Sequence, residues 1–159
     1  LSLHDALPIF NRRTFYYHFQ DIYALLEWIF RTEVTSAMEE NTTYQTWQQG
    51  FLKILIYLDQ NRKMVLNTYN SIGREHLETH LYSAVYGLVV DVVDEIAVDM
   101  KVSQEKKEFV VNFYKFAFVG LLLEWIRTNM IKNSEQIIDN LDKIISGDIH
   151  RALLKCELQ

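Results

Sequence analysis

From Asp21 to the end of the chain no proline occurs, and apolar residues recur three and four positions apart in one long stretch after another. That period lines up one face of an α-helix, and the helix interior is where proline is least tolerated. The sequence holds 5 glycines and 1 proline, Pro8, so strand-and-turn architectures lack their usual punctuation. An all-α fold is the expectation.

The boundaries follow from the same pattern. Asp21 is a good N-cap, and Ile22, Leu25, Leu26, Ile29 and Phe30 carry a helix to about Glu40 before the polar break "NTTYQT". Trp47, Phe51, Ile54, Leu55 and Leu58 restart the period, "DQNRK" ends it, and a shorter helix carries Val65, Leu66 and Tyr69. After Gly73, Leu77, Leu81, Ala84, Val85, Leu88, Val92 and Ile96 mark a long helix to about Met100. Ser103 is an N-cap candidate with Glu105 in the favoured first turn of a helix reaching about Met130. A last helix starts at Ser134 with Ile137, Ile138, Leu141, Ile144 and Ile145, and Gly147 offers a break before a C-terminal continuation.

The helix from about 103 to 130 is apolar on more than one face through its middle, so it must be covered from two sides. With the helix after Ser134 it should form an antiparallel hairpin carrying more apolar surface than one chain can bury. A two-fold, four-helix interface between two copies would cover it.

Composition bounds the function. At 159 residues, 49% hydrophobic and 23% charged, the chain can build one sizeable core. A net charge of −5 argues against non-specific nucleic-acid binding over the whole surface, so any DNA contact has to be local. A lone cysteine, Cys156, excludes an internal disulfide framework and a cysteine-based metal cluster and fits a reducing, cytoplasmic setting. The most apolar run, "FAFVGLLLEWI" at 116–126, is flanked by Lys115 and broken by Glu124, short of the ~20 residues of a membrane span, and reads as core or interface.

One basic and aromatic cluster stands out, "NRRTFYYHFQ" at 11–20, with no acidic residue before Asp21. Asn11 can cap a short helix whose Phe15 and Phe19 face inward, leaving Arg13, Tyr16, Tyr17 and Gln20 outward and Arg12 and Thr14 on the first turn. Arginines and hydroxyls at a helix N-terminus suit a polyanion, whether base edges or phosphates. On pattern alone, a short aromatic helix with incidental arginines is an equal reading.

"RRTFYYHFQDIYALLEWIF" resembles the end of the helix-turn-helix of TetR-family transcription regulators, whose pattern runs Thr, aromatic, Tyr, aromatic, His, Phe, then Leu-Leu. Thr14, Phe15, Tyr16, Tyr17, His18, Phe19, Leu25 and Leu26 match it. The resemblance implies that residues 11–40 are the recognition helix and its follower. Arg12, Arg13 and Thr14 would then face base edges, and Tyr16, Tyr17 and His18 would lie against phosphates. Ile22 occupies a position where the family often has a phosphate-contacting lysine, a departure from the pattern. Residues 41–159 would form a helical regulatory and dimerisation domain. Within them, "FYKFAFVGLLLEWIRTNM" at 113–130 is similar to a subgroup described as regulators of dihydroxyacetone kinase operons.

The first ten residues fit poorly. "LSLHDALPI" looks like a translated sequencing-adapter fragment, so native sequence is expected to begin near Phe10 or Asn11; the alternative is an ordinary short helix ending at Pro8. Family members carry two helices before the recognition helix, and without that support this polypeptide is expected to bind operator DNA poorly.

Other constellations carry less. His76 and His80 are four apart with Glu75 and Glu78 nearby, but the zinc-peptidase glutamate and a third ligand are missing, so neither metal nor cofactor is expected. "SIGREH" lacks phosphate-loop spacing, and no nucleophile, base and acid grouping can be assembled, so the chain reads as a non-enzyme. Tyr57, Tyr69, Tyr82, Tyr86 and Tyr114 recur along the later helices; core packing is the commoner fate of such residues, and an apolar effector pocket with a few hydroxyls is the alternative.

The resulting expectation is an all-α, TetR-like, cytoplasmic homodimer whose binding to double-stranded operator DNA is modulated by a small-molecule effector or a co-regulator protein. The rival is a helical sensing or interaction module that does not touch DNA.

Overall fold

A computed structural model describes residues 47–157. The segments read above as leader (1–10) and as reader with its following helix (11–40) lie outside the described residues. Numbered from the first described helix, the elements are α1 (Trp47–Gln60), α2 (Arg62–Tyr69), α3 (Arg74–Ile96), α4 (Gln104–Arg127), α5 (Ser134–Ile145) and α6 (Asp148–Cys156). No strand occurs among the described residues.

The long antiparallel helices α3 and α4 form the centre, with α1 packed on α3 and α5, α2 bridging α3 and α4, and α6 lying against α4 and α5. The core holds most of the positions the apolar period picks out, with Leu66, Tyr69, Ala84, Ile96 and Ile137 only partly buried at its edge and Ile144 outside it. Phe51, Leu55 and Leu58 from α1, Leu77, Leu81, Val85 and Leu88 from α3, Val119, Leu122 and Ile126 from α4, and Leu153 from α6 are all essentially inaccessible to solvent. No polar or charged residue is buried among the described residues, so hydrophobic burial dominates the stability of this unit.

Caps form where side chains can supply them. Ser103 accepts a hydrogen bond from the Lys106 amide to start α4, and Asn133 accepts one from the Glu135 amide to start α5. Gly147 stands at φ 78 between α5 and α6, in the left-handed region where a side chain is costly. The end of α4 differs from the periodicity reading. The helix stops at Arg127, and Asn129 and Met130 follow with φ 60 and 55. Two tertiary bonds hold this turn: Arg62 of α2 donates to the Met130 carbonyl, and Trp125 Nε1 donates to the Lys132 carbonyl at 2.9 Å. After the turn α5 packs chiefly against α1 and α6, so the tight antiparallel hairpin expected between the helix ending near 130 and the one after Ser134 does not form: α1 takes the place α4 was expected to hold.

Candidate functional site

α4 separates into two faces. Val110, Val111, Phe118, Val119, Leu122, Trp125 and Ile126 point into the bundle. On the opposite side Phe109, Phe113 and Phe116, at i, i+4 and i+7, are 75%, 62% and 56% exposed. Ala117 and Gly120 continue this face with small side chains, and the stripe ends at an exposed ion pair, Glu124 with Arg127 at 2.7 Å. The Arg127 guanidinium holds the Glu124 carboxyl below its usual range.

By length and composition α4 is apolar enough to cross a membrane, because the apolar run at 116–126 extends upstream through Phe109, Val110, Val111 and Phe113. In the fold it is a bundle helix with one side buried, yet only 39% of its apolar window is covered. Beside the stripe, α4 and α5 enclose an open groove of ≈520 Å³ whose apolar walls are Leu121, Ile137, Leu141 and Ile144, with Lys132 and Lys143 at its rim. Ile144 is 69% exposed there, and sequence periodicity had placed it with the core residues of α5.

The structure distributes the five tyrosines. Tyr82 and Tyr86, one turn apart on α3, come together around Lys115 of α4, whose Nζ lies 5.8 and 5.7 Å from their ring centroids and 4.4 Å from that of Phe116. Lys115 also donates to Asn112 Oδ1 at 2.9 Å, and Tyr82 meets Phe116 edge-on at 5.7 Å. Tyr69 ends α2 elsewhere, under the Arg74 guanidinium at 4.1 Å. Tyr114 sits on another side of α4 between Phe113 and Phe118, where burial, and then the nearby Asp148 carboxylate, push its hydroxyl pKa up. Tyr57 is half-buried on α1 with its hydroxyl oxygen enclosed.

Sequence reading missed Lys115 and the outward phenylalanine stripe as specific features. The stripe was legible in the spacing of positions 109, 113 and 116, but which apolar face of α4 would stay uncovered depends on its neighbours. Among the described residues no group of three His, Cys, Asp or Glu side chains could hold a metal ion. The residues assigned to DNA, Arg12, Arg13, Thr14, Tyr16, Tyr17 and His18, lie outside the described residues.

Comparison with known proteins bears on this bundle directly. Residues 45–147 match a TetR family described as "Transcriptional regulator C-terminal region". The chain is 41% identical over 52 residues to the HTH-type dhaKLM operon transcriptional activator DhaS of Lactococcus lactis subsp. lactis (strain IL1403), a match spanning 33% of this chain and 28% of that relative. The solved structure of a dihydroxyacetone kinase operon activator, DhaS, superposes with a TM-score of 0.67 over 93% of this chain and 80% of the other, at 23% identity, which is a likeness of fold.

Proposed function

The chain belongs to the TetR family of transcriptional regulators, and from that premise we propose that it is the regulatory part of a DNA-binding homodimer that controls an operon. The observation that carries this reading is the family match over residues 45–147, which covers α1 to α5 and the uncovered α4–α5 surface together. Residues 11–40 are the DNA reader and 41–159 the regulatory and dimerisation domain. Arg12, Arg13 and Thr14 meet base edges, and Tyr16, Tyr17 and His18 meet phosphates.

A small effector or a co-regulator protein bound to the C-terminal domain changes the separation of the two readers and so biases operator binding. The tyrosines of the bundle are candidates to contact an effector. Of these, Tyr82 and Tyr86 are supported best, because Lys115 adds a cation and a hydrogen-bond donor to their aromatic faces. The relatives are named as operon activators, which favours activation of a dihydroxyacetone kinase operon over repression. A regulator of this kind acts in the cytoplasm, and we read the chain as non-catalytic.

The test uses the full gene product and DNA from upstream of its own operon. Binding followed by fluorescence anisotropy should weaken steeply as salt rises, and Arg12→Ala and Tyr17→Ala should each reduce affinity by about tenfold or more. Unchanged affinity in both variants would remove these residues from the reader.

A further inference from the structure

We propose that the α4–α5 turn is a two-state switch latched by Arg62. With the latch closed, α4 ends at Arg127 and α5 lies on α1; with it open, α4 continues to Met130 and α5 leaves α1. The switch belongs to the fold and stands whether or not residues 11–40 read DNA.

Strain gathers at this turn. Among the described residues, Asn129 and Met130 are the non-glycine positions with positive φ, at 60 and 55, and they are consecutive. Asparagine tolerates the left-handed region, but a residue as large as methionine seldom enters it. Such conformations persist where the surroundings over-determine them. The Met130 side chain is 1% exposed, its amide donates to the Trp125 carbonyl at 2.8 Å, and its carbonyl accepts from the Arg62 guanidinium. Asp59 aims that guanidinium, accepting from Nε at 3.3 Å and from Nη2 at 3.1 Å.

A second conformation is written in the same residues. Leu122 and Ile126 are buried one turn apart on α4, and Met130 is the next position in that row. Continuing the helix through 128–130 returns Asn129 and Met130 to right-handed backbone and keeps Met130 on the buried side. That state gives up the bond from Arg62, whose side chain is 46% exposed and can turn to water instead. One charge-assisted hydrogen bond in partial contact with solvent is thus set against the strain of two left-handed residues, and contributions of this size nearly balance. A turn so balanced has two accessible states.

The movement is passed to α1. Gln48 in the first turn of α1 donates to Asp142 in the last turn of α5 at 2.7 Å, while Arg62, two residues past the end of α1, reaches Met130 just before α5 begins. The two helices are antiparallel and clasped at both ends. Opening the Arg62 end removes the turn that aims α5 along α1 and leaves Gln48–Asp142 as the remaining polar clasp. Where residues 11–40 read DNA, α1 is the described helix nearest to them in sequence, so the same movement reaches the reader.

Hydrogen exchange followed by mass spectrometry on the full chain separates the two states. A 12-residue helix is not stable away from its packing surface, so α5 amides exchange when α5 leaves α1. Arg62→Ala should speed α5 exchange by about fivefold or more while the peptide spanning 124–131 keeps its protection. Asn129 is exposed, so replacing it changes backbone preference and leaves the core packing alone. Asn129→Gly, which favours the left-handed turn, should slow α5 exchange below the parent and restore protection to Arg62→Ala. Asn129→Ala, which favours the continued helix, should speed it with Arg62 in place.

Exchange that rises only in α2, or glycine at 129 that fails to restore α5 protection to Arg62→Ala, would overturn the latch. Loss of protection at 124–131 together with α5 would mean a turn that frays and not a helix that continues, and would overturn the second state.

Discussion

Phe118 is the residue on which several elements converge. It is 3% exposed, lies parallel to Trp47 at 5.8 Å, contacts Phe51 at 5.0 Å, and reaches Tyr114 at 6.4 Å. Truncating it removes a large apolar side chain and three ring contacts at once, and the surrounding helices can close the space only in part. Phe118→Ala should lower unfolding free energy by about 3–5 kcal/mol, measurable as a shift in urea midpoint at unchanged slope. Tyr114 makes a prediction of a different kind. Burial and Asp148 raise its pKa in the fold, so the unfolded chain loses the phenolic proton first as pH rises. The stability it contributes is complete below about pH 10 and is lost as pH climbs through the folded value. Tyr114→Phe should flatten this alkaline loss in urea titrations made between pH 9 and 11, and an unchanged pH slope would remove Tyr114 as its source.

The helix boundaries show which signals operate at the level of elements. Ser103 and Asn133 cap α4 and α5 through bonds to amides within the first turn, so a local reading of residue type suffices to find them. Gly147 also reads locally, since a glycine after the last periodic residue of α5 is the residue best able to adopt a left-handed conformation. A Cβ at Gly147 would meet nothing within 4 Å, so the cost of adding one is confined to the backbone. Gly147→Ala should destabilise by about 1–2 kcal/mol in thermal or urea unfolding, and a neutral result would mean that the α5–α6 turn relaxes out of the left-handed region. The end of α4 is not local. Apolar periodicity continues to Met130, but the helix stops at Arg127, and Arg62 of α2 and Trp125 of α4 hold the turn that follows through its carbonyls. Their bonds connect residues 68 and 7 positions apart, and no neighbouring residue announces the longer one.

At the scale of the whole molecule, surface left over by the monomer is the informative quantity. A bundle with no buried polar residue among the described residues and a row of exposed phenylalanines has satisfied its interior and left one side of α4 unsatisfied. If that side is covered by a second copy, association stabilises the native state by mass action. The thermal midpoint should therefore rise with protein concentration between about 1 and 100 μM, and Phe109→Ser with Phe113→Ser should abolish the dependence while retaining the fold. A midpoint independent of concentration across that range, from a chain that scatters as a monomer, would count against the dimer.

The sequence by itself determined that the described part is helical, where its six helices fall to within a few residues, and most of the positions that form the core, because period, caps and chain breakers act over four residues or fewer. It also carried the family, in the run from Thr14 to Phe19 with Leu25 and Leu26, and in the stretch at 113–130. Tertiary structure alone decided the rest. Five tyrosines equivalent in the sequence became one pair around Lys115, one partner of Arg74, one raised-pKa hydroxyl beside Asp148, and one enclosed on α1. Apolar residues on two sides of α4 became a buried face and an exposed one, and Ile144 moved from expected core to groove wall. These outcomes depend on which helix packs against which, and periodicity reports a residue's face without saying what lies opposite it.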